Sequence, residues 1–293
     1  MANILDKLWA YWPLGETGGT RFDVSGYNRH LGEYLDPIGN APGKIGNAAV
    51  LSVITKILAI PGSDVFPNTG NPYTVSFWYK HNNPGANSAP LIIVLSKQAS
   101  SGEVVIWVWR DTVHDASHDD VFDSSAEGFA ESGFVVTQSA WHFVVVQMSL
   151  ADGLQVFVDN VLVGSNPAVT SQAIELTGAS LTVHAERDTT DEYLLNALMI
   201  GERAFSSQDR DDLWNNGNGV DLLDNLNDGG HFDPSGNWVY GYTVTFNVNG
   251  SGSGSMGNQT ATVPTTLTGN AFTWLGHTFL GWSTQADGLG VFY

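Results

Sequence analysis

Between residues 141 and 164 the chain reads WHFVVVQMSLADGLQVFVDNVLVG, two alternating apolar runs broken by Asp152-Gly153 and Asp159-Asn160. Both pairs favour tight turns, so this stretch predicts three consecutive antiparallel strands. In the first strand His142, Val144, Val146 and Met148 share one face, and Trp141, Phe143 and Val145 share the other. A strand apolar on both faces belongs inside a layered sheet. Residues 73–80 repeat the pattern, with Tyr73, Val75, Phe77 and Tyr79 opposite Thr74, Ser76 and Trp78. Many short strands, turn signals about every ten residues and little helical periodicity predict an all-β, two-sheet antiparallel sandwich. One helix is predicted over residues 207–215. Ser206 is its N-cap with Asp209 three residues on, Gly217 lies past its end, and Leu213 and Trp214 are its buried anchors.

Composition narrows the partners. The 293 residues, 42% hydrophobic and 11% aromatic, suffice for one large β domain and a smaller companion. Eleven basic against 30 acidic residues give a net charge of −19, and no Lys or Arg occurs after Arg210. Nucleic acid and anionic membrane are therefore poor partners, because both require clustered cations. There is no cysteine, hence no disulfide and no thiolate metal site. The start, MANILDKLWAYW, has no basic segment followed by an apolar one, so no secretory signal is read there. No apolar run reaches bilayer-spanning length, and membrane insertion is not expected.

Several pieces occur in a telling order: YWPLGE at residues 11–16, Asp23-Val24-Ser25-Gly26, and Gly43-Lys44-Ile45-Gly46-Asn47-Ala48. They are followed by the Trp141-His142 strand, by Val158-Asp159-Asn160, and by Arg203-Ala204-Phe205-Ser206 leading to residues 213–217. This ordered set resembles the laminin G-like, concanavalin A-like jelly-roll domains. The likeness covers roughly residues 5–222 and implies a sandwich over residues 1–222. The family often carries Asp-Glu ahead of its R-A-L-S segment, where Asn196 and Ala197 stand here. Any ligand role of that acidic pair is therefore not expected.

Residues 223–238, rich in Asp, Asn and Gly, read as a linker. Residues 239–293 form a second module. Val244-Thr245-Phe246, Asn249-Gly250, Asn270-Ala271-Phe272, Phe279-Leu280-Gly281-Trp282 and Ala286-Asp287-Gly288 resemble the internalin-type B repeat, a β-grasp-like unit of microbial surface proteins. The resemblance implies that its last strand is missing. The edge near Phe279, Trp282, Phe292 and Tyr293 would then be open to a strand from another copy or a partner protein, or equally be covered by the linker or the sandwich folding back.

Three constellations carry candidate chemistry. Trp107 and Trp109 stand two apart in residues 104–110, and two indoles spaced about 6.8 Å apart suit stacking on successive sugar rings, although paired Trp in such a hydrophobic strand more often belongs to a core. Trp12, Trp78 and Trp141 are assigned to the core. His114, His118, Asp119 and Asp120 lie in an acidic stretch read by default as an exposed loop; calcium ligation is the alternative, and zinc would need a helical geometry that nothing here sets. No cofactor is assigned, calcium being the alternative. Glu186, Asp188, Asp191 and Glu192 resemble the carboxylate strand of sandwich-fold glycosidases, but Arg187 and two threonines intervene and a solvated loop is the better reading. No catalytic residue is assigned.

The expected function is non-enzymatic surface display on a phage virion, as a capsid decoration or fibre protein, with adhesion to glycans or a host surface. Its partners would be further copies, capsid proteins or cell-surface glycans. The alternatives are a bacterial surface adhesin or calcium-dependent carbohydrate-binding module, and a glycoside hydrolase or polysaccharide lyase.

Overall fold

The computed structural model describes residues 4–52, 55–60, 72–82, 91–97, 104–110, 118–125, 128–131, 136–137, 139–168, 179–185, 192–222, 230–232, 238–240, 242–261 and 266–285. The chain forms two compact units, Met1–Asn225 and Leu226–Tyr293. The larger is mostly β, with two antiparallel eight-stranded sheets and one short helix, layered as a sandwich.

Strands are numbered in chain order. The first sheet contains β1 (Leu8–Trp12), β3 (Asn40–Pro42), β4 (Asn47–Leu51), β6 (Tyr73–His81), β12 (His142–Ser149), β13 (Gly153–Val158), β14 (Val161–Asn166) and β16 (Tyr193–Gly201). Their order is β14-β13-β12-β6-β16-β4-β3, with β1 also on β16. The second sheet contains β2 (Gly32–Leu35), β5 (Lys56–Ala59), β7 (Leu91–Lys97), β8 (Val104–Arg110), β9 (His118–Ser125), β10 (Gly128–Glu131), β11 (Val136–Thr137) and β15 (Ala179–Ala185). It runs β10-β9-β8-β7-β15-β5-β2, with β11 also on β9.

The alternation along β12 and β6 decides what each face meets. Tyr73, Val75, Phe77 and Tyr79 join Val144, Val146 and Met148 in the main core, facing Leu58, Ile93 and Val183 of the second sheet. Burying each such side chain stabilises the fold by about 2 kcal/mol before conformational entropy is counted. The opposite face of β6 and β12 is covered too. Trp78 and Phe143, with ring centroids 5.3 Å apart, line a small crevice shared with Tyr11, Leu213 and Leu222. The segment after β16 thus seals the outer face, which is why both faces of these strands are apolar. Of the tryptophans assigned to the core, Trp12 and Trp78 are buried. Trp141 is half-buried and sits just ahead of β12.

The turns follow their residues. Asp159 and Asn160 both have positive φ, 48° and 66°, closing β13 onto β14. Gly153 has φ 74°, and a Cβ there would collide with the Asn166 carbonyl oxygen, so the position requires glycine. Asp23 does what its sequence context suggested. Its Oδ1 accepts from the Ser25 N–H at 2.9 Å and the Tyr11 N–H at 3.1 Å, and Oδ2 accepts from the Arg29 N–H at 3.0 Å.

Helix α1 spans Ser207–Trp214 and carries a full capping box between Ser206 and Asp209. It ends at Asn215, left-handed at φ 47°, ψ 52°, and a single 3-10 turn, Asn215–Gly217, follows. Leu213 is buried as expected, whereas Trp214 is only half-buried, because the helix ends before its last side chain passes under the sheet.

In the smaller unit β17 (Gly230–Phe232) pairs with β18 (Trp238–Tyr240) and β19 (Tyr242–Val244) with β20 (Gln259–Ala261). The first pair draws residues 230–232, read from sequence as linker, into an antiparallel strand pair. Ser253 and Thr273 are bridged by reciprocal backbone hydrogen bonds of 2.7 and 2.8 Å. Around Trp282 gather Phe246 at 4.5 Å, Phe279 at 4.8 Å and Phe272 at 6.2 Å between centroids.

Candidate functional site

One edge of β16 serves two neighbours, β4 along Tyr193–Leu195 and β1 along Leu198–Gly201. The change-over falls at Asn196-Ala197, where the register with β6 slips and Ala197 takes φ 52°. The Asn196 side chain holds that bulge together. Its Nδ2 donates to the carbonyls of Pro13 and Asn47, both at 2.8 Å, and its Oδ1 accepts from the Ile45 N–H at 2.7 Å. With every side-chain hydrogen-bonding group committed and only 1% exposed, Asn196 is a structural tie with nothing left for a ligand.

Two further polar centres are structural. Asp159 accepts from the Phe143 N–H through Oδ1 at 2.9 Å, and its Oδ2 lies 2.7 Å from His142 Nδ1. His142 Nε2 is 2.8 Å from the Thr137 carbonyl, so the imidazole joins the first sheet to β11 of the second. Arg203 donates to both Asp209 oxygens and to the Asp6 carbonyl, while Thr74 donates to the Arg203 carbonyl. Burial alone would raise the Asp209 carboxyl, but Arg203 and the hydroxyl and N–H of Ser206 outweigh it and hold the group below its usual range.

The end of α1 opens onto a shallow depression of about 550 Å³ lined by Asp211, Asp212, Trp214, Asn215, Asn216 and Val220. Three of its polar side chains are held by hydrogen bonds. Asn160 on the β13–β14 turn donates to Asp211 Oδ1, Gln208 Nε2 donates to Asp212 Oδ1 at 2.8 Å, and Asn215 Nδ2 donates to the Gly219 carbonyl at 3.0 Å. Asn216 is left-handed at φ 53°. No site is evident at these residues from sequence alone. The local signal is Asn-Asn-Gly after a terminal Trp, since Asn is the non-glycine residue that best tolerates left-handed backbone.

In the second sheet, register places Trp107. His184 of β15 pairs with Ile92 of β7, Ile92 with Trp107 of β8, and Trp107 with Phe122 of β9. The neighbouring row runs Val183, Ile93, Ile106, and its members Val183 and Ile93 are buried in the core. Cross-strand partners share a face and successive residues alternate. The position of Trp107 thus belongs to the row of half-buried His184, and Trp109, opposite Asp120, follows two residues along.

His118, Asp119 and Asp120 lie on strand β9, not in a loop. Asp119 pairs with Arg110 and with Val136, and His118 with Thr137. The acidic stretch alternates too little in polarity for its sequence to announce a strand, and pairing with β8 overrides it. His114 lies outside the described residues, as do positions 186–191 of the glycosidase-like motif and Phe292 and Tyr293. No cluster of three metal-binding side chains occurs among the described residues. Phe279 is exposed, but Trp282, named from sequence as an edge residue, is the hub of the smaller unit's aromatic cluster.

The model of the concanavalin A-like lectin/glucanases superfamily matches residues 56–209, more than half of the chain. The protein belongs to that family, as the resemblance implied. No curated protein matches the chain. Among solved structures it is similar to domain 4 of AbnA, a GH43 extracellular arabinanase from Geobacillus stearothermophilus, in complex with arabinotriose. Identity is 17%, coverage 73% of this chain and 99% of that one, and the TM-score 0.51. It is also similar to the botulinum neurotoxin serotype C1 binding domain, with 16% identity, 73% and 53% coverage and a TM-score of 0.52. A third is a botulinum neurotoxin type C structure, a toxin whose cell entry depends on interaction with two ganglioside molecules, with 16% identity, 80% and 55% coverage and a TM-score of 0.51. The chain spans about half the length of those neurotoxin structures. At these identities the likeness is one of fold.

Proposed function

We propose that the protein is a non-enzymatic surface-contact protein whose sandwich binds glycans through the second sheet, with Trp107 and Trp109 as stacking platforms. The observation that carries this reading is the register. Trp107 stands in the row of His184, one step from the core row of Val183 and Ile93. Similar folds in an arabinanase domain bound to arabinotriose and in toxin binding domains support the ligand class. On a glycan array the intact protein should retain a defined subset of glycans, and a Trp107→Ala/Trp109→Ala variant should lose it. Retention of no glycan would overturn the reading. Reducing-end release from β-glucans or alginates that vanishes in Glu186→Gln would replace it with a hydrolase or lyase.

In the same proposal the protein is displayed on a phage virion, and the smaller unit is an internalin-type repeat that contacts neighbouring copies or capsid proteins. Its paired strands and the aromatic cluster around Trp282 support a folded module. Immunogold labelling of intact particles tests the location, and light scattering across a concentration series tests self-association.

A further inference from the structure

The depression at the end of α1 lies on the first sheet's side of the sandwich and shares no residue with the Trp107 row. We propose that it is a second, separate site for an uncharged sugar unit, with Trp214 as its stacking face; the proposal rests on the reading that the protein contacts glycans.

A sugar ring needs an aromatic surface for its C–H face and fixed planar acceptors and donors for its hydroxyls. Both are present. Trp214 is half-buried, held through its backbone by the Gly219 N–H donating to its carbonyl at 3.1 Å. Trp214 and the exposed Asn216 both line the depression. Asp211, Asp212 and Asn215 each have one side-chain atom fixed by Asn160, Gln208 and Gly219. Polar groups set in place before binding cost less ordering entropy when they bind.

Charge selects the class of sugar. The site sits at the negative end of a helix whose last turn holds no basic residue, with Asp211 and Asp212 beside it. A sialic acid or uronic acid carboxylate would meet three sources of negative potential. A neutral hexose or pentose would meet hydroxyl acceptors.

The test uses the full chain on an array carrying neutral oligosaccharides beside sialylated and uronate-bearing ones. Trp214→Ala should weaken binding of a neutral subset by about tenfold or more. Because Trp214→Ala also removes packing, Asn216→Gly serves as the second variant. It keeps the left-handed backbone, should leave the thermal midpoint unchanged, and should weaken the same subset. That subset should survive Trp107→Ala/Trp109→Ala. If every bound glycan is lost in the Trp107/Trp109 variant and none in Trp214→Ala or Asn216→Gly, this inference fails and the sheet reading stands. Acidic glycans that depend on Trp214 as strongly as neutral ones would also overturn it, and an array with no binding at all overturns both.

Discussion

Arg203 and Asp209 meet in a two-pronged ion pair, Nη1 to Oδ2 at 2.7 Å and Nη2 to Oδ1 at 3.0 Å. The same carboxylate caps α1 by accepting from the Ser206 N–H at 2.8 Å. One buried acid therefore joins the helix start to the N-terminal segment, through Arg203 and the Asp6 carbonyl. Arg203→Ala, which leaves Asp209 buried without its cation, should cost about 3 kcal/mol of unfolding free energy. Urea denaturation followed by tryptophan fluorescence checks this.

The pair also sets a pH dependence. Asp209 titrates below its ordinary value of 3.8 in the folded chain, so its contribution is present above pH 3.8 and is lost as pH falls through the lower folded value. The stability gap between the wild type and Asp209→Asn should narrow below that point. Glu202 has the opposite sign. Burial raises it above 4.5, offset in part by Arg29 and Lys7, so Glu202→Gln should gain relative stability as pH rises through that raised value. Thermal midpoints from pH 2 to 7, at about half-unit steps, separate the two.

Asn196 yields a prediction against the family pattern. An aspartate there would set a carboxylate oxygen against the Pro13 and Asn47 carbonyls, where Nδ2 now donates. Asn196→Asp should destabilise by about 2–3 kcal/mol at neutral pH, visible as a lower denaturation midpoint and partly relieved in acid.

Asp159→Ala removes the acceptor for the Phe143 N–H and the partner of His142 Nδ1. The expected loss is about 1–2 kcal/mol. Asn160→Gly, which keeps a left-handed turn, should cost far less, and differential scanning fluorimetry ranks the two.

Trp282→Ala removes the ring that contacts Phe246, Phe272 and Phe279. Trp282 is half-buried, and losing the ring at the centre of this cluster should cost about 2–3 kcal/mol, a large share of the stability of so small a unit. Amide exchange should quicken across residues 242–285 and stay unchanged in β6 and β12.

What could be read from sequence was governed by alternation and turn chemistry. The runs around Val144 and Phe77, the Asp159-Asn160 turn and the Ser206 cap each depend on neighbours a few residues away, and each is visible in a single sequence. Strand β9 was not, because His118 to Asp123 carries no apolar period and becomes a strand by pairing with β8. Nor was the role of Asn196, whose partners Pro13 and Asn47 lie about 150 residues or more away. The depression beside Trp214 arises where a helix terminates, and side-chain exposure at such an end is set by tertiary packing alone.

The shared edge of β16 has a consequence for how the molecule is made. Within the sandwich β1 is synthesised before the other strands, yet its pairing partner is Leu198–Gly201, so Trp9 and Trp12 remain unsheltered until roughly 190 intervening residues have been added. Closure of the sandwich is thereby postponed to the end of its own translation. A chain released before residue 201 would carry an aromatic strand with nothing to dock on, the kind of species that chaperones retain.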